Sequence, residues 1–70
     1  MSFNYNNLWK LLIDKNMMKT ELQEAVGMSA STLAKMGKNE AISMKTVGRI
    51  CKVLKCDVSD VVEYIDDEKE

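Results

Sequence analysis

The residues best equipped for chemistry in this 70-residue chain are its cations. Lys35, Lys38, Lys45, Arg49, Lys52 and Lys55 fall in one stretch, where Glu40 alone opposes them. Ammonium and guanidinium groups gathered in this way attract phosphate, through their summed field at a distance and by charge-assisted hydrogen bonds at contact. Catalysis has little to draw on. Histidine is absent, and neither a glycine-rich phosphate loop nor a nucleophile paired with a base can be assembled. Cys51 and Cys56, with no histidine and no C-x-x-C spacing, cannot supply four zinc ligands. No enzyme, no metal and no other cofactor is expected.

The formal net charge of -1 conceals a polarised chain. Residues 1–56 carry nine basic and four acidic side chains, a balance of +5, whereas residues 57–70 carry one basic and seven acidic, a balance of -6. A basic body with an acidic end suits a polyanionic partner in a way that the total does not suggest.

The elements that would position these cations are all helical by pattern. Proline is absent, only three glycines occur, and no useful run alternates β-branched with polar residues. Seventy residues suffice for one small core and one domain. The longest apolar run is far below the roughly 20 residues of a membrane span, and no signal peptide is visible, so a soluble, cytoplasmic protein is expected. Tyr5, Leu8, Trp9, Leu12 and Ile13 recur at three- and four-residue intervals, which predicts a first helix with these on its core face. A second helix is expected over residues 19–26. A third begins at Ser29, whose hydroxyl can cap the first-turn amides, and ends near Gly37 to Asn39. Ser43 should cap a fourth, with Val47, Ile50, Cys51 and Leu54 inward and Lys45, Arg49 and Lys52 about half a turn away. Asp57 followed by Asp60 suggests a cap for a fifth helix, in which Val58, Val61, Val62 and Ile65 would close the core. The domain is placed at residues 1–65, and residues 66–70 read as a flexible acidic tail.

The most specific pattern lies in residues 19–38, KTELQEAVGMSASTLAKMGK. Leu22 and Val26 precede Gly27, and Met28, Leu33 and Met36 follow it. Two helices crossing steeply need a glycine that can take positive φ at the turn and apolar residues that meet inside the corner. This is a helix-turn-helix, and it points to DNA. Counted from Lys19, the apolar positions and the glycine resemble those of the Cro and phage-repressor (XRE-like) family, and SMKTVGRICKVLKCDVSDVV is similar to the fourth and fifth helices of that family.

The resemblance implies an all-α, compact five-helix bundle of the lambda-repressor-like type, with helix three, residues 29–36, in the major groove. It implies base contacts from Ala30, Ser31, Ala34 and Lys35. Ala30 can meet a thymine methyl, Ser31 several bases, and Lys35 the O6 and N7 of guanine. Phosphate contacts are expected from Lys19, Thr20, Ser29, Lys38, Asn39, Ser43, Met44 and Lys45, at helix N-termini and around the same groove. Two positions depart from the family pattern. Gln23 stands where a small residue is usual, and a capping box between Thr20 and Gln23 would take its side chain out of the corner. Gly37 stands where many relatives place a glutamate, which predicts a looser end to helix three.

One domain of this size covers one half-site, so a homodimer on a palindrome is expected, with double-stranded DNA as partner and no small-molecule ligand. The function implied is sequence-specific regulation of transcription, as a repressor or autoregulator in a bacterium. The competing reading is a protein-interaction or antitoxin-like accessory module on the same fold, since fold alone does not decide function.

Overall fold

A computed structural model describes residues 2–66. Strand β1 (Ser2–Asn4) leads into helices α1 (Asn6–Asp14), α2 (Lys19–Val26), α3 (Ala30–Gly37) and α4 (Met44–Leu54). A single 3-10 turn, Val58–Asp60, and strand β2 (Glu63–Ile65) follow. The strands pair antiparallel, with Ser2 opposite Ile65, Phe3 opposite Tyr64 and Asn4 opposite Glu63.

Among the described residues the expected five-helix, all-α bundle is therefore corrected to four α-helices, one 3-10 turn and a two-stranded sheet. The cap foreseen at Asp57 does form. Its carboxylate accepts from the Val58 amide at 2.8 Å, and the Asp57 amide donates to the Asp60 carboxylate at 3.0 Å. One turn later the chain leaves the helical path. Val61, Val62, Tyr64 and Ile65 are β-branched or aromatic, the types that lose side-chain freedom in a helix and suit a pleated strand. With β1 alongside as a partner, pairing the two chain ends wins over a fifth helix, and from this segment only Val61 is fully buried. The acidic tail expected over residues 66–70 lies beyond the described residues, apart from Asp66.

The core is built from Tyr5, Leu8 and Leu12 before and within α1, Leu22 and Val26 of α2, Met28, Met36 of α3, Val47, Ile50 and Leu54 of α4, and Val61. Ile13, expected on the core face of α1, is 73% exposed. It follows Leu12 by one residue, a turn of about 100° around the helix, which carries it off the stripe centred on Leu8 and Leu12.

Between α2 and α3 the turn takes the form the sequence predicts. Gly27 has φ 81°, and both its amide and that of Met28 donate back to the Gln23 carbonyl, at 2.9 and 3.2 Å. The capping box at the start of α2 differs from the expected one. The N-cap is Met18, so the third helical position is Glu21, whose carboxylate accepts from the Met18 amide at 2.7 Å. Thr20 is exposed and Gln23 half-buried. The box falls two residues earlier than Thr20 and Gln23 because α2 begins at Lys19, as expected, and Thr20 is already inside the helix.

Candidate nucleic-acid interface

Helix α3 is anchored from below. Met36 is fully buried and Leu33 half-buried against the core, which turns the opposite side outward. Ala30, Ser31, Ala34 and Lys35 are all exposed. They form two pairs four residues apart, so they share one outward face of the helix. Three of the four are short, and Lys35 alone brings reach and charge.

The starts of α3 and α4 repeat one motif. Ser29 caps α3, its Oγ accepting from the Thr32 amide at 3.2 Å and lying 3.0 Å from the Thr32 hydroxyl. Ser43 caps α4 in the same manner, with the Thr46 amide at 3.2 Å and the Thr46 hydroxyl at 2.9 Å. The serines were legible from the sequence as caps; the threonines three residues on were not, although the repeated S-x-x-T spacing was the signal. Ser31 is drawn into the first of these clusters, with its hydroxyl 2.9 Å from that of Ser29. A base edge would have to share it.

Thr32, Lys35, Ala41, Ile42, Ser43 and Thr46 line one open, mainly polar groove of about 380 Å³. It joins the exposed end of α3 to the capped start of α4, and so brings Lys35 and Ser43 to one place. Lys38 and Asn39 are exposed at the end of α3, and Lys45 is exposed in the first turn of α4. Met44 is also exposed, but its side chain lines a separate apolar recess with Phe3, Tyr5 and Val47. What Met44 can offer an anion is its backbone amide. Lys19 and Thr20 stand at the start of α2 and do not line this groove, and the Lys19 ammonium lies 4.3 Å from the centroid of the Trp9 ring.

The loop between α3 and α4 is braced at Glu40. Its amide donates to the Lys35 carbonyl at 2.9 Å, and its own carbonyl accepts from the Tyr5 hydroxyl at 2.6 Å. Asn39, at φ 60°, makes the left-handed turn that ends α3, as expected for that residue. With Gly37 still helical and the amides of Lys38 and Asn39 returning to carbonyls of α3, hydrogen bonds close this end in place of a glutamate side chain. The sequence pattern places Tyr5 in the core and says nothing more of it. Its second role, at a separation of 35 residues, leaves no local signature. Burial pushes the Tyr5 phenol up from its ordinary range, against a smaller opposing pull from the Ile42 backbone.

Cys51 and Cys56 are half-buried free thiols. Burial first, and the neighbouring Cys51 second, push the Cys56 thiol up. That is the opposite of what a nucleophilic or metal-binding thiolate requires.

Residues 7–67 match the family model of the Cro/C1-type HTH DNA-binding domain. The chain belongs to that family. As a Cro/C1-type helix-turn-helix protein it is a DNA-binding transcriptional regulator. It is 41% identical over 64 residues to YozG of Bacillus subtilis (strain 168), described as an uncharacterized HTH-type transcriptional regulator; the match covers 89% of this chain and 76% of YozG. Its fold is similar to the crystal structure of the transcriptional regulator VanUg (form II), with a TM-score of 0.91 and 52% identity over 94% of this chain and 88% of that one. In Cro/C1-type terms α2 and α3 are the helix-turn-helix. Among the described residues no helix is long and apolar enough to cross a membrane.

Proposed function

We propose that this regulator binds its operator as a homodimer, each protomer laying α3 in the major groove of one half of a palindrome, and acts as a repressor or autoregulator in the cytoplasm of a bacterium. Ala30, Ser31, Ala34 and Lys35 face base edges. The amides and side chains at Lys19, Thr20, Ser29, Lys38, Asn39, Ser43, Met44 and Lys45 hold the phosphates on either side. Binding, not catalysis, is its whole chemistry.

The observation that carries this reading is the outward face of α3 beside the capped start of α4, with Lys35 and Ser43 in one polar groove. A helix N-terminus presents unpaired amides to an anion, and a lysine lining the same groove can reach a base while the phosphate fixes the angle. Base reading is modest, because Ser31 shares its hydroxyl with Ser29 and both alanines offer only methyl groups. DNA shape and deformability supply the remainder of the discrimination.

A footprint on the DNA upstream of its own gene, followed by titration of the protected duplex, tests the proposal. Lys35→Ala is expected to weaken binding to that site by about 1–3 kcal/mol and to relax preference at one base position. An equal loss on every sequence would reassign Lys35 to a phosphate. Lys38→Ala and Lys45→Ala should weaken specific and random duplexes alike, each lowering the log-log salt slope by about one.

A further inference from the structure

Trp9 and Lys19 meet at a helix start that lacks a serine cap. Lys19 is the first residue of α2, Trp9 lies on α1, and the ammonium sits 4.3 Å from the centroid of the indole ring. Trp9 is half-buried against the core, so its ring is held in place while part of it stays open. The quadrupole of that ring attracts a cation over its face. A free lysine gives up much rotamer freedom when it engages an anion, whereas one already laid on a ring gives up less.

The start of α2 has need of that charge. Its first-turn amides lack helical partners and favour an anion. The Glu21 carboxylate, however, is held 2.7 Å from the Met18 amide and places negative charge at the same end. At α3 and α4 the capping group is instead a neutral serine.

We propose that Trp9 is a positioning residue for DNA binding: it holds the Lys19 ammonium beside the α2 N-terminus, where that charge offsets Glu21 and makes the helix start a phosphate contact. This rests on Lys19 contacting the DNA backbone, as proposed above. Trp9 itself touches no base.

The chain contains one tryptophan, so its tryptophan emission reports this ring alone. The probe is a random-sequence duplex of about 20 base pairs, roughly two helical turns, titrated with the full chain at several salt concentrations. Binding is followed by duplex anisotropy and by Trp9 emission. In the parent chain the emission changes on binding. Lys19→Gln lowers the salt slope by about one per protomer. Trp9→Leu, confirmed as folded by circular dichroism, lowers the slope in the same sense and weakens low-salt binding about 2- to 5-fold, the ratio an exposed cation–π contact carries. Adding Trp9→Leu to Lys19→Gln brings no further loss, and Trp9→Phe, which keeps a ring, restores most of the affinity.

A folded Trp9→Leu with parental affinity and slope overturns the proposal, as does a further loss in the double variant. Should Trp9→Leu fail to fold, the emission still decides, because a change on binding that persists in full in Lys19→Gln overturns it too. If Lys19→Gln binds like the parent, the proposal falls with its premise while the Lys35 reading stands. If the parent chain binds no duplex, the DNA reading itself falls.

Discussion

Between residues 19 and 54 nearly every helix start and stop is settled by groups within three to five residues of it, whereas residues 2–4 and 63–65 take their shape from each other across the length of the chain. Ser29 with Thr32, Ser43 with Thr46, Glu21 with Met18, Gly27, and Asn39 are local devices, and each would act in much the same way in a different protein. The strands have no such device. Phe3 meets Tyr64 edge to face, with ring centroids 5.8 Å apart, only because the fold returns the C-terminal end to the N-terminal one. The helix-turn-helix half is thus specified residue by residue, while the paired strands depend on context. A short two-stranded ribbon is marginal without the core it rests on.

The two regions part most sharply at Met36, the fully buried anchor beneath the outward face of α3. Met36→Ala should destabilise the chain by about 2–5 kcal/mol, measured by urea unfolding, with loss of DNA binding following loss of fold. A loss well under that range would mean that α3 is held by its neighbours in sequence and not by its core contact.

Tyr5 links the two regions, since it follows β1 directly and donates to the Glu40 carbonyl beside α3. Tyr5→Phe should cost about 1 kcal/mol, with one hydrogen bond lost and the core volume kept. It should also alter the alkaline limb of stability. Burial favours the neutral phenol in the folded chain, so its contribution is complete below the unfolded pKa of about 10 and falls away as pH rises through the higher folded value. The parent should therefore lose stability above pH 10 more steeply than Tyr5→Phe, and identical alkaline profiles for the two would contradict the role assigned to burial.

Ser43→Ala tests the local devices themselves. Its expected cost is about 1 kcal/mol in thermal unfolding, together with weaker binding to random duplex, since both the cap and the anion-binding helix start are affected. Unchanged stability would show that the Thr46 hydroxyl takes over the cap.

Phe3→Ala should have the smallest effect, about 0.5 kcal/mol, because the ring and its Tyr64 partner both remain substantially exposed. A loss rivalling that of Met36→Ala would show that the chain ends belong to the core and would erase the distinction between the two regions.

The helix-turn-helix was readable because its rules are short-range. A glycine at the turn and two serines before helical runs mark the end of α2 and the starts of α3 and α4, and the outward face of α3 follows from helical geometry. The segment after Asp57 was not readable in this way. Val58, Val61, Val62 and Ile65 fit a helical period, and the same few residues also suit a strand, an ambiguity that short apolar runs carry and local preference cannot resolve. The deciding fact, that Ser2–Asn4 lies alongside as the antiparallel partner of Glu63–Ile65, is non-local.

The family, the helix-turn-helix and the serine caps of α3 and α4 followed from the sequence alone, since these depend on residue type and spacing along a single helix or turn. It took the packed fold to pair Ser2–Asn4 with Glu63–Ile65, to brace the Glu40 loop with Tyr5 and to lay Lys19 over Trp9. Each of these joins residues brought together by packing, and periodicity says which face of a helix is apolar without saying which side chain of another element will meet it.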